Sequence, residues 1–489
     1  MKNKFYITTA ILYTNGPPHI GFAFELVLTD VLARYHRLLG DDTYFLTGTD
    51  EHGATVVKGA AKAGKSVKDF VDEMASKAEE LTKVLNISND DFIRTSDQTR
   101  HWPAAQKLWN SIKDDLYKKN YEGLYCVGHE AFMKKSDLVD GVCPLHKTEP
   151  EKIKEENWFF KLTKYKKEVK KRIESGEMKI VPETRKQEIL NLIDDAEDVS
   201  FSRPSKDLKW GIPVPDDDTQ TMYVWADALT NYISALGYAE ENPKFEKFWP
   251  ADVHLVGKDI LRFHAMIWPA MLLSAGLPLP KAIYVHGFIT VDGEKMSKTI
   301  GNVVDPFEAV QKYGAEVVRY FLLREIPPGD DGDFSYKKLE ERYNGDLANG
   351  LGNLIQRVAT LIEKGFNGGD VYYKKTGTVE FSVDKFIESF QLHQALNGIW
   401  LLIDMANLHI NDKAPWSLIE RNPEEFEKTM MHILNMINLI SYNLQPFMPE
   451  TAENIKKIFN LPESKEIPEG HHFIIKKGGV LFPRIEPIN

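Results

Sequence analysis

Apolar and polar positions along the chain fall into two regimes. In the first, short apolar runs alternate with longer amphipathic stretches. "KFYITTAI" (Lys4 to Ile11) predicts a buried strand, "IGFAFELVLTDVLARYHRLLG" (Ile20 to Gly40) a helix stopped by glycine, and "DTYFLTGTDEHG" (from Asp42) a second strand. "DVHLVGKDI" (Asp252 to Ile260) predicts a strand running into polar loop residues and then a helix, and "AIYVHGFIT" (Ala282 to Thr290) a further strand. Between about residues 116 and 215 this rhythm breaks: the segment is lysine-rich and turn-rich and holds both cysteines, which predicts an insertion. The second regime begins near Leu339 and is helical almost throughout. In "FEKTMMHILNMINLISYNL", Phe426, Met430, Ile433, Leu434, Ile437, Ile440 and Leu444 recur at helical spacing and mark one apolar face.

Strand, loop, helix and strand in that order, with polar residues gathered where strands end, predict an α/β, Rossmann-like parallel sheet with its site at the strand C-termini. The predicted organisation is a sheet domain in two halves, 1–115 and 216–275, split by an insertion at 116–215. A connecting region, 276–340, and an all-α helix-bundle domain, 341–489, follow. No internal repeat or low-complexity run interrupts the chain.

Composition narrows the partners. At 489 residues and 43% hydrophobic content, the chain can bury a large core and exceeds one ordinary domain. The net charge of −11 argues against nonspecific adhesion to nucleic acid, so any RNA contact has to be local. No apolar run is long enough to span a bilayer, and "FYITT" follows Met1 without a signal-peptide pattern, which predicts a soluble, cytoplasmic protein without membrane contact. Two cysteines leave no room for a disulfide framework and fit a reducing compartment.

Candidate chemistry lies at four places. His19 and Gly21 stand between a predicted strand and helix, where backbone N–H groups and the helix dipole favour an anion such as phosphate. "DGEKMSKTIGN" (Asp292 to Asn302) puts Lys295 and Lys298 in a short polar loop, two cations placed to close over a triphosphate. Inside the insertion, Cys126 and His129 form one C-x2-H pair and Cys143 and His146 a second, a spacing that lets two knuckle turns supply four tetrahedral zinc ligands. Four protein ligands leave no open position, so such a zinc would be structural. In the helical region Asn353 and Arg357 fall at i and i+4 on one face, and Trp416 follows a proline in "KAPW", giving hydrogen-bonding groups and a stacking surface for unpaired bases.

"PHIGF" near the N-terminus and "KMSKT" far downstream together resemble the two signature sequences of class I aminoacyl-tRNA synthetases, HIGH and KMSKS. Over nearly the whole chain the resemblance is to the methionyl-tRNA synthetase family, through "TNGPPHIG", "FLTGTDEHG", "YVWADALTNY", "LVGKDILRFHAMIWPAML", "KMSKTIGNVVDP", "LANGLGNLIQR" and "KAPW". It implies that methionine is joined to ATP as an adenylate with release of pyrophosphate, then passed to tRNA(Met), with release of AMP. His19 would bond a phosphate, Lys295 and Lys298 would neutralise the leaving pyrophosphate, and Mg2+ would accompany ATP. Asp50 matches the carboxylate that binds the substrate ammonium group. Ala10, Ile11, Tyr13, Trp225, Ala228, Leu229, Tyr232, Ile260 and His264 match positions lining the methionine side chain, whose thioether suits aromatic walls. Gly257, Lys258 and Asp259 resemble residues around the ATP ribose and adenine. Asn353, Arg357 and Trp416 match anticodon-contacting positions, and 276–340 matches the region of the KMSKS loop and stem contact.

The chain departs from the family at Phe22, where histidine is usual near the ATP ribose, and at His129, where many relatives have cysteine. The large editing insertion of the isoleucyl, leucyl and valyl enzymes is missing, and a small nucleotidyltransferase would need neither the insertion nor the helical domain. No extra C-terminal dimerisation domain follows, which predicts a monomer. The alternative from a different class is a noncatalytic tRNA-binding paralogue, motivated by Phe22.

Overall fold

Strand Lys4–Thr9 (β1) sits at the centre of a seven-stranded sheet, flanked in parallel by Asp42–Asp50 (β3) on one side and Val253–Gly257 (β6) on the other. The computed structural model describes residues 2–126, 131–133, 135–144, 147–240, 242–296, 302–366, 369–375, 377, 379–476 and 479–486. The chain divides into two units, Met1–Thr29 with Leu39–His286, and Asp30–Leu38 with Gly287–Asn489.

In the first unit the strand order is Leu12–Tyr13 (β2), β3, β1, β6, Ala282–His286 (β7) and Lys179–Val181 (β5), with Asp91–Arg94 (β4) also pairing β3. Every pairing in this sheet is parallel. Strand β1 exchanges partners at a topological switch: the chain leaves it through helix Ile20–Leu38 (α1) towards β3, whereas β6 lies on its opposite edge. Crevices of this kind, outside the strand C-termini, are where α/β sheets take nucleotides. Helix α1 stops as its sequence predicts, with Gly40 at φ 86°.

The strand read at Lys4–Ile11 ends at Thr9, and a second, two-residue strand follows it. The Ala10 amide donates to Leu255 O at 2.9 Å, which ends β1, and Leu12–Tyr13 pairs instead with Thr49–Asp50 on the far edge of β3. The segment 116–215 also divides. Leu116–Cys126, Ala131–Met133, Glu151–Phe160 and Val199–Ser200 form their own four-stranded antiparallel sheet, but β5 from the same segment pairs with β7 in the main sheet. "KIV" is too short a run to announce a strand by periodicity.

In the second unit "AIYVHGFIT" is broken by its own glycine. Strand β7 ends at His286, and Ile289–Val291 (β8) joins a different, three-stranded sheet between Glu294–Lys295 (β9) and Gly332–Phe334 (β10). A Cβ at Gly287 would meet Asp330 O at 2.0 Å, so only glycine lets the 328–334 segment cross there. The rest is helical: Ala315–Glu325 (α5), Asn353–Gly365 (α6), Leu392–Lys413 (α7), Pro423–Leu444 (α8) and Pro449–Phe459 (α9). Phe426, Met430, Ile433, Leu434, Ile437, Ile440 and Leu444 are all buried along α8, the face their spacing predicts. A short strand pair, Asp370–Tyr372 with His472–Ile474, interrupts the helical run.

Candidate active site

In the first unit Asp50 and Gly257 are the last residues of β3 and β6, and His19 closes the loop that leads from β1 and β2 into α1. His19 precedes α1, and its carbonyl accepts the first helical amides, from Phe22 at 3.0 Å and Ala23 at 3.2 Å. Its ring Nδ1 accepts the Gly21 N–H at 3.1 Å. In the neutral ring that acceptor role places the proton on Nε2 of this exposed side chain, just ahead of a helix N-terminus. Phe22 follows with its side chain buried. Gly257 closes β6, where a Cβ would come within 2.8 Å of Asp259 Oδ1, so glycine allows that carboxylate to lie over the strand end. Lys258 to Ile260 form a single 3-10 turn immediately after it.

Among the residues matched to a methionine pocket, Tyr232 and His264 form a buried pair that Ile260 and Trp225 also contact. Tyr232 Oη donates to His264 Nε2 at 2.7 Å, and His264 Nδ1–H donates to Ile260 O at 3.0 Å. Burial lowers the His264 pKa to about 4, so the ring is neutral and its tautomer is fixed by these partners. A π-helical turn, Phe263–Ile267, holds His264 in place. Trp225 stacks on Phe263 with centroids 3.8 Å apart and meets His264 edge-on at 5.9 Å. Ala10, Leu229 and Tyr232 are buried in one apolar cluster, against which Ile11, Tyr13, Trp225 and Ile260 pack; Ala228 is buried beside Leu229 on the same turn. Asp50 is buried at the end of β3, opposite Tyr13 in register, and its carbonyl accepts the Thr14 amide at 2.9 Å.

Two buried polar groups that sequence reasoning missed brace this arrangement. Glu25 on α1 accepts the Ala10 amide at 2.6 Å and faces His286 Nε2 at 3.0 Å, joining the ends of β1 and β7. Burial pushes its carboxyl up, against the pull of His286 and the Ala10 amide. Glu51 takes a bidentate Arg94 guanidinium at 2.7 and 2.9 Å, and its carbonyl accepts Trp210 Nε1–H at 2.6 Å. Glu51 stands inside "TDEHG", where a carboxylate next to Asp50 was the available signal; Glu25, in an ordinary helical stretch, carried none.

In the second unit, Lys295 ends the hairpin β8–β9, turned by Asp292–Gly293 with both residues at positive φ. This turn lies in what the sequence reads as a plain polar loop. The Asp333 carboxylate caps it, accepting Thr290 Oγ1–H and the Gly293 amide at 2.7 Å each. Lys298 lies outside the described residues. On the helical side Asn353 is exposed, and Arg357 donates through Nη2 to Asn411 Oδ1 at 2.8 Å. Trp416 is 53% exposed on a 3-10 turn that follows Ala414, so its indole is presented rather than packed as a cap. Asn411 was not foreseen, because its partnership joins two separate helices.

Cys126 ends its strand and Cys143 sits in a turn closed by Cys143 N–H to Thr148 O at 2.9 Å and Lys147 N–H to Cys143 O at 2.8 Å. Both thiols are buried, while His129 and His146 lie outside the described residues. Among the described residues no group of three or more His, Cys, Asp or Glu gathers to hold a metal, and no helix is long and apolar enough to cross a membrane.

Known proteins resemble this chain along most of its length. A family model described as "tRNA synthetases class I (M)" matches residues 5–152 and 133–359, and one described as "Anticodon binding domain of methionyl tRNA ligase" matches 379–478. The methionine–tRNA ligase of Thermotoga maritima is 41% identical over 98% of this chain and 78% of its own length. That of Brucella suis is 41% identical over 95% of this chain and 93% of its own. Among solved structures, Mycobacterium tuberculosis methionyl-tRNA synthetase in complex with methionyl-adenylate superposes with a TM-score of 0.92 at 36% identity, covering 99% of this chain and 100% of that one. The chain therefore belongs to the methionyl-tRNA synthetase family of class I aminoacyl-tRNA synthetases.

Proposed function

We propose that the chain activates L-methionine with ATP as methionyl-adenylate and transfers the methionyl group to tRNA(Met). The observation that carries this reading is the neutral His264–Tyr232 pair beside the Trp225–Phe263 stack, close in sequence and register to the Gly257 strand end. A polarizable thioether gains roughly 0.3 to 1.5 kcal/mol per aromatic contact, and an uncharged polar pair can orient sulfur without repelling an apolar chain. Asp50 supplies a buried carboxylate for the substrate ammonium, a charge-assisted contact that fixes the amino acid by its backbone end.

The reaction needs positioning and charge stabilisation rather than a protein nucleophile. The methionine carboxylate attacks the α-phosphate and pyrophosphate leaves, so negative charge gathers on phosphate oxygens. In this reading the His19 Nε2–H donates to that charge at the start of α1, and Lys295 and Lys298 neutralise the leaving group. One such donor is worth on the order of 3 kcal/mol in the transition state. Gly21 and Gly257 let nucleotide approach the backbone, with Lys258 and Asp259 flanking the ribose and adenine; Phe22 contributes packing at the same helix start. Mg2+ would accompany ATP and supply further charge neutralisation to its phosphates.

Asn353, Arg357 and Trp416 are read as the anticodon contacts, the indole stacking on a base while the Arg357–Asn411 pair holds a guanidinium in place. For zinc, two buried thiols, one at a strand end and one in a turn, fit the soft donor set, which His129 and His146 would complete. Bound there, zinc would cross-link the insertion. Charging of tRNA(Met) with labelled methionine tests the function as a whole. Acid-precipitable methionyl-tRNA that depends on ATP is expected; retained tRNA binding without it would favour a noncatalytic paralogue.

A further inference from the structure

A carboxylate that the mechanism does not use sits where the elements of the methionine pocket converge. Asp227 is fully buried on helix Val224–Ala228, the turn that also bears Trp225 and Ala228. Its Oδ2 accepts from His52 Nδ1 at 2.6 Å and its Oδ1 from His101 Nε2 at 2.8 Å. His52 lies just beyond Asp50 and Glu51 at the end of β3, and His101 opens helix His101–Ser111. The other nitrogen of His101 meets Ser234 Oγ at 2.9 Å, on the short helix Asn231–Ser234 that carries Tyr232. All three charged or titratable members are buried, and His52 is held edge-on between Trp102 and Trp210.

Fold stability does not account for such a cluster. Removing a carboxylate from water is expensive, and well-packed apolar residues of similar volume usually serve stability as well or better. What an ionic cluster adds is a fixed register between the elements it joins. Burial drives the Asp227 carboxyl up, yet the two imidazoles outweigh it and hold the group below its ordinary value, so it stays an acceptor for both rings. Resting on the methionine-activating reading above, we infer that Asp227, His52 and His101 are positioning residues that set the distance between the ammonium-binding Asp50 and the side-chain wall of Trp225, Ala228 and Tyr232. The cluster thereby tunes affinity for the amino acid and leaves the nucleotide subsite alone.

The test is methionine-dependent ATP–pyrophosphate exchange with the full chain, together with the methionine Kd from calorimetry. Asp227→Ala is expected to raise KM and Kd for methionine by about 10-fold to about 100-fold, the equivalent of one hydrogen bond to a charged group, with the ATP KM within about twofold. Asp227→Asn, to which each imidazole can adapt by changing tautomer, and His101→Gln, which keeps an N–H donor, are expected to stay within about threefold of the parent. Folding is read from thermal melts; if Asp227→Ala does not fold, His101→Phe, which cuts one bond, is expected to give the selective rise. A folded Asp227→Ala or His101→Phe that shifts both substrates equally, or neither, overturns the inference, as does an Asn variant as impaired as Ala. No exchange by the parent chain would count against the activity itself, while the calorimetric Kd still decides the positioning role.

Discussion

His264 illustrates how burial turns a titratable side chain into a neutral one. Its pKa falls from the ordinary 6.5 to about 4, because the charged form would lose its solvation. The unfolded chain therefore binds a proton that the folded chain refuses. Stability from this group is complete above pH 6.5 and is lost as pH falls through 6.5 towards 4, a loss of about 3 kcal/mol. His254, pushed down by burial and by His264, acts in the same direction. Denaturant unfolding between pH 7 and 4 checks this, and His264→Asn should flatten the decline by at most about half, since His254 still contributes. Phe22 is the second residue of interest: because its ring is buried, Phe22→His is expected to lower stability by about 1 to 3 kcal/mol while the ATP KM stays within about twofold. A clearly tighter ATP KM would show that the position contacts nucleotide. Single residues stood out as candidates where a motif framed them, as His19, Asp50 and Trp416 did. Glu25 and His101 did not, since a buried acid or histidine in a helix looks like any solvated one until its partner is known.

Elements were legible in kind and less so in extent. Periodicity placed α1 and α8 because many positions vote on one face. It joined β7 to β8, because nothing local says that Asp330 crosses at Gly287, and it missed β5, whose three residues carry too little pattern. Within the second unit, α5 is fastened by Arg319, which pairs with Asp30 at 2.7 Å and donates to Phe447 O at 3.0 Å and Pro446 O at 3.2 Å. Both partners of the ion pair are fully buried. Arg319→Met is expected to cost about 3 to 5 kcal/mol, since it strips a buried carboxylate of one guanidinium and leaves two carbonyls without this donor. The loss should appear in the unfolding transition of the second unit; a change below about 1 kcal/mol would mean that solvent replaces the pair.

At the scale of the molecule, the chain divides into a parallel-sheet unit and a largely helical one that begins at Gly287, ahead of the change of pattern near Leu339, and takes in Asp30–Leu38; each has its own proposed task. The division predicts separable defects. Trp416→Ala should raise the tRNA KM by about 10-fold to about 100-fold, the loss of one base-stacking contact, and leave ATP–pyrophosphate exchange unchanged. Equal loss in both assays would remove Trp416 from the anticodon reading. The most direct measurement for the whole account is ATP–pyrophosphate exchange by the purified full chain across the protein amino acids. Exchange that depends on methionine, with every other amino acid at least about 100-fold weaker in kcat/KM, is the predicted result. Absence of methionine-dependent exchange in a folded chain that binds tRNA, or preference for another amino acid, would contradict it.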